Sequence, residues 1–276
     1  MRGLFSAVIL LSLLVLACGG SSPAPSPTPV PAPTTPNPTP PPPAPAPFVP
    51  FIFEIEPGVS VADEAFVREG INIAASYFAA QLNWMPTNTV TVVVSAGASG
   101  SSTATAARDK ITVYTGSKVW PTTAGDLKRK IVSHELFHVV QYSINWPFGT
   151  YIWLTEGSAE YVGYQVAVIS RGIENADQTR GCHQFSVVHS SPPIPALQQL
   201  EGSLFYDINN QGATTYSLGY LAAERLTQSA GLASFTQFTS QSAFQTVFST
   251  SLSEFYTAFE QYRSTWRPPA NYTCLF

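Results

Sequence analysis

Fifteen prolines stand among the 28 positions from Pro23 to Pro50, a density that forbids regular secondary structure there. Proline lacks the backbone N–H that helices and sheet ladders require. Interleaved with Ala, Ser and Thr, the segment reads as an extended polyproline spacer rising about 3 Å per residue, reaching up to roughly 80 Å. No Asp or Glu precedes Glu54, and Arg2 alone of the 13 Lys and Arg lies before residue 51. The fold-forming part is therefore read as residues 51–276, long enough for one sizeable core or two subdomains sharing a cleft. A hydrophobic content of 45% excludes disorder of the whole chain. A net charge of −4 with only 11% charged residues excludes an electrostatic nucleic-acid binder, which needs a basic face.

Ahead of the spacer, Arg2 precedes an apolar run from Leu4 to Leu16. That run falls short of the ~20 residues a membrane-spanning helix needs, so a secretory signal is the expectation. Val15-Leu16-Ala17-Cys18 resembles a bacterial lipobox. The resemblance implies a lipoprotein signal peptide over residues 1–18, lipidation of Cys18, and a Pro-rich linker over 19–50. It places the chain as an exported lipoprotein of the bacterial cell surface or outer membrane. Gly19 stands where an Asp would mark inner-membrane retention. An ordinary signal peptide with a cysteine near its cleavage point is the alternative. Setting Cys18 aside leaves Cys182 and Cys274, which in an exported protein read as one disulfide, or else as two unrelated thiols.

Within the fold-forming part, Phe51–Glu56, Thr89–Ser95 and Lys110–Thr115 have strand composition, and Ala96–Ala107 reads as a flexible loop. Helical spacing runs from a cap at Ser60 with Asp63 to Leu82. Further helices are expected over Ala124–Tyr142 with Thr123 as cap, Thr155–Val168, Thr214–Ala230, Leu232–Gln241 and Leu252–Trp266. Residues 170–212 show no firm period and read as loops, with His183 and His189 as loop residues. The expectation is an α+β fold, α/β over 51–142 and helical over 143–276.

At the junction lies His134-Glu135-Leu136-Phe137-His138, an HExxH pattern inside a predicted helix. Residues i and i+4 share a helical face, so both imidazoles can converge on one metal ion, with Glu135 beside it as a proton acceptor. Downstream stands Trp153-Leu-Thr-Glu156-Gly-Ser-Ala-Glu160-Tyr161, with 17 residues between His138 and Glu156.

The two motifs together resemble those of the gluzincin zinc peptidases (peptidase MA-like). The resemblance implies a thermolysin-like catalytic domain whose active site lies between a small mixed sheet with helices and a mainly helical part. It implies one zinc ion per chain held by His134, His138 and Glu156, with a fourth position for water. It also implies Glu135 as general base and Glu160 as a carboxylate that accepts the N–H of a ligating histidine. Tyr216-Ser-Leu-Gly-Tyr220 is similar to the family's next helix, where a tyrosine can stabilise the oxyanion. Tyr216 is the candidate and Tyr220 the reserve; the alternative makes both core aromatics. Phe248–Trp266 resembles the family's C-terminal helix.

One departure narrows the reading. The Gly-x-Met-Glu-Asn motif by which aminopeptidases of this clan hold a free amine is missing, and Ser95–Thr103 contains no acid. Internal cleavage is thus favoured over N-terminal trimming, with the strand Lys110–Thr115 as the edge on which a peptide would add. The expected partners are a peptide or protein substrate and a membrane through the Cys18 anchor, the chain being monomeric. The competing readings are a non-catalytic surface lipoprotein binding partners or glycans, and a zinc hydrolase acting on another bond. Asn271-Tyr-Thr matches a glycosylation sequon that a bacterial lipoprotein would not use.

Overall fold

The computed structural model describes residues 51–99, 102–171, 176–211, 214–268 and 274. The signal, Cys18, the spacer and Asn271 lie outside the described residues.

A four-stranded mixed sheet is formed by β1 (Ile52–Ile55), β2 (Thr91–Ser95), β3 (Ala104–Ala107) and β4 (Lys110–Tyr114), in the order β1-β2-β4-β3. β1, β2 and β4 run parallel, and β3 pairs antiparallel with β4. β1 and β2 are joined through α1 (Val61–Leu82), a crossover that parallel strands require. Ser60 caps α1 by accepting from the amide of Asp63, as its sequence signalled. Asp63 also accepts from Trp120 Nε1 at 2.7 Å and Lys128 Nζ at 2.9 Å. It thereby fastens the first turn of α1 to the first turn of α2 (Gly125–Ser143).

The sheet corrects two expectations. β3 lies inside the segment read as a loop, because Ala-Thr-Ala-Ala has little intrinsic strand preference and is held by pairing with β4. β4 is consequently an interior strand, and the edge beside the site is β3.

The rest is helical: α3 (Ile152–Arg171), α4 (Ala176–Val188), α5 (Leu204–Asn210), α6 (Thr215–Ala230), α7 (Phe244–Phe248) and α8 (Leu252–Ser264). Thus α4 and α5 occupy much of the region read as loops. The inward face of α4 carries Thr179, Cys182, His183 and Val187 at helical spacing, but mostly as polar or sulfur-bearing residues, so no apolar period was visible. His183 is a buried helix residue, against expectation. Leu232–Gln237 is 3₁₀ and the helix expected there ends early. α2 is capped at Ala124, without the side-chain bond expected from Thr123, and α3 starts three residues before Thr155. Cys182 is joined to Cys274 with a Cα separation of 5.5 Å.

α2, α3 and α6 pack side by side beneath the site. A Cβ on Gly157 would meet the backbone of Gly219 at 2.3–2.6 Å, and one on Gly163 would sit 2.9 Å from the carbonyl of Lys130. Only glycine permits α3 to lie this close to α6 and α2. Trp153 fixes the start of α3, stacking on Phe255 and donating from Nε1 to the Tyr256 hydroxyl at 3.0 Å. Among the described residues no helix is long and apolar enough to cross a membrane.

Candidate metal centre

α2 presents His134, Glu135 and His138, and α3 presents Glu156 and Glu160, all within a cleft also bounded by β3, α5 and α6. His134 Nε2 lies 3.1 Å from His138 Nε2 and 3.3 Å from Glu156 Oε2, and His138 Nε2 lies 3.5 Å from the same oxygen. A tetrahedral ion with bonds of about 2.0–2.1 Å needs ligand atoms about 3.3 Å apart, so the three spacings match. His134, His138 and Glu156 could therefore hold a metal ion.

The proton arrangement points the same way. His134 Nδ1 donates to Glu160 Oε2 at 3.0 Å, since an ionised carboxylate only accepts. His138 Nδ1 donates to Gln141 Oε1 at 2.6 Å. The Gln141 amide is oriented by its other end, where Nε2 donates to the Thr155 carbonyl and to Ser158 Oγ, each at 3.0 Å. With both Nδ1 atoms donating, the two Nε2 atoms face each other and one carboxylate oxygen. A shared cation resolves that convergence. Three buried carboxylates, Glu135, Glu156 and Glu160, face one ammonium, Lys130, which is paired with Glu160. A bound cation would offset the negative charge that Lys130 leaves uncovered.

The electrostatics follow from the same contacts. Burial pushes the His134 imidazole down, but Glu156, Glu160 and Glu135 outweigh it and raise it to about 9. Burial opposes ionisation of Glu160, yet Lys130 and His134 bring it to about 2. Glu156 is likewise held well below the carboxylate range, His138 and His134 outweighing its burial. Glu135 moves the other way: burial raises it, against the two histidines. A buried carboxylate raised above its neighbours is the one suited to exchanging a proton.

The second motif is accounted for residue by residue. Trp153 anchors the helix, Thr155 Oγ1 accepts from Trp146 Nε1 at 2.8 Å, and Glu156 faces the histidines. Gly157 allows the close crossing, Ser158 receives Gln141, and Glu160 holds His134.

Tyr216 lines the cleft, its ring centroid 6.2 Å from that of His134. Tyr220, one turn on, does not reach the cleft; it is fully buried and stacks on His183 at 3.9 Å. Sequence reasoning missed Gln141 and Tyr206. Gln141 lies three residues after His138 and seven after His134, on the same helical face, which was a usable signal. Tyr206, on α5, donates its hydroxyl to Glu156 Oε1 at 2.5 Å, and nothing in its local sequence announced that. No protein-family model matches the chain, and neither does any curated protein or solved structure.

Proposed function

We propose that this chain is a zinc-dependent peptidase of the gluzincin type, cleaving within peptide chains. The observation that carries the proposal is the convergence of His134 Nε2, His138 Nε2 and Glu156 Oε2 beside the buried carboxylate of Glu135 in an open cleft. Two imidazoles and one carboxylate leave a position for a reactant, the pattern of catalytic rather than structural zinc. Zinc bound there would supply Lewis acidity, lowering the pKa of a water and polarising the substrate carbonyl.

The side chains have the remaining tasks. Glu135 takes a proton from the attacking water as its oxygen bonds to the carbonyl carbon, then delivers that proton to the amide nitrogen as the C–N bond breaks. The Tyr216 phenol is pushed well above its usual range by burial and by Glu156, so it stays protonated and donates to the developing oxyanion. Glu160 and Gln141 fix both histidine rings. Recognition of a free amino terminus would call for a further carboxylate, and among the described cleft-lining residues the acids are Glu135, Glu156 and Glu160. The Cys182–Cys274 bond supports export to an oxidising compartment, where the lipidated Cys18 and Pro-rich spacer would hold the domain away from a membrane.

The test is digestion of a mixed peptide library by zinc-loaded protein, beside Glu135→Gln. The variant should retain zinc and lose cleavage. Persisting cleavage would overturn the role of Glu135, and a library left intact by the wild type would overturn the peptidase reading.

A further inference from the structure

The cleft differs between its two ends. Both lobes include Ser102, Ala104, His134, Glu135, Tyr206 and Tyr216, so the reacting centre lies where they join. One lobe, of about 470 Å³, continues past Ala106 of β3 to Tyr142, Phe148 and Ile152 around the α2–α3 connection. The other, of about 600 Å³, continues past Thr103 to Lys130, Asn209 and Asn210. Both volumes suit a ligand rather than a solvent crevice.

Tyr142 and Phe148 stack at 4.3 Å between ring centroids with 27° between planes. Neither ring belongs to the hydrophobic core, and Phe148 is 38% exposed. A stacked aromatic pair that supports no core, beside a polar reacting centre, is a surface shaped to be covered by another apolar group. Among the described residues the other, more polar lobe holds no stacked pair; Ile131 is its aliphatic group, beside Ser102, Thr103, Asn209 and Asn210. Its ammonium, Lys130, is committed to Glu160 and lies 4.9 Å over the Tyr164 ring.

We propose that the Tyr142–Phe148–Ile152 lobe selects the substrate side chain, taking a large aromatic or branched aliphatic residue next to the scissile bond. This rests on the peptidase reading and specifies its substrate class. The direction follows from the edge strand: the chain passes from Thr103 in the polar lobe into β3, where Thr105 and Ala106 line the aromatic one. A peptide pairing antiparallel with β3 runs the opposite way. Its residue on the N-terminal side of the cleaved bond then falls in the aromatic lobe.

The experiment sequences the cleavage sites made by zinc-loaded wild type, Phe148→Ala and Phe148→Asp in one peptide library, with thermal melts as the folding control. Phe, Tyr, Leu or Ile should precede the cleaved bond, with kcat/KM about 10- to 100-fold above alanine at that position. Phe148→Ala should reduce that ratio about 10-fold, and Phe148→Asp should shift preference towards Lys and Arg. Cleavage without apolar preference, or the same preference in all three proteins, overturns the subsite. Preference confined to the residue after the bond overturns the direction assigned. An intact library with the wild type would instead refute the peptidase reading on which the subsite depends.

Discussion

Replacing Gln141 by Leu tests the claim that orientation of His138 is built into the helix pair. Gln141 is fully buried and makes three hydrogen bonds at once. Leucine fills similar space, so the cost comes from the partners left behind. Ser158 Oγ keeps its bond to the Thr155 carbonyl at 3.2 Å, so neither of those groups is orphaned. His138 Nδ1–H has no such second bond, and one buried unpaired donor costs about 1–3 kcal/mol. For a domain of this size that is roughly 2–12 °C in Tm. The ring also loses the bond that aims Nε2 at its neighbours, which should weaken metal binding about 10- to 100-fold. Thermal melts of the metal-free protein read the first quantity, and zinc titration against a competing chelator reads the second. A Kd within threefold of wild type would refute the orienting role, whatever the melt shows.

Tyr206→Phe removes the donor on Glu156 Oε1, freeing that oxygen to join Oε2 on the metal; the visible spectrum of cobalt-substituted protein should shift towards higher coordination, and an unchanged spectrum would refute this. Gly157→Ala places a Cβ 2.3 Å from the Gly219 carbonyl, forcing α3 and α6 apart by about 1 Å at a cost of about 1–3 kcal/mol. Since metal sites tolerate about 0.2 Å, this variant should melt lower and lose zinc; a melt and zinc content equal to wild type would exclude the close crossing. Burial lowers the His183 imidazole to about 3, so the folded protein keeps it neutral while the unfolded chain protonates it near 6.5. That contribution is whole above pH 6.5 and is lost as pH falls towards 3, about 2 kcal/mol of it between pH 7.5 and 5. In chelator, His183→Gln should show a pH loss smaller by that amount in denaturant unfolding, and equal losses would refute it.

The candidate site was unusually legible because its chemistry is local. Two histidines four residues apart on a helix must share a face, and the carboxylates of α3 repeat that logic at Glu156 and Glu160. The paired cysteines were legible for another reason, since removing Cys18 left two. The strands β1 and β2 and the helices α1, α2, α3, α6 and α8 carried their own periodicity or composition. Elements held together by their neighbours did not. β3 is a strand because β4 pairs with it, and α4 buries polar and sulfur-bearing side chains whose spacing has no hydrophobic signature.

The sequence by itself determined which side chains could meet a metal and which turn of which helix bears them. Tertiary packing alone decided how close they come, because the approach of α3 to α2 is set by Gly163 against Lys130, a contact between segments far apart in the chain. It also brought Tyr206 of α5 to Glu156, and set Tyr142 and Phe148 beside the edge strand. Periodicity reports the face a residue occupies on its own element; what stands opposite that face is fixed only when the elements pack.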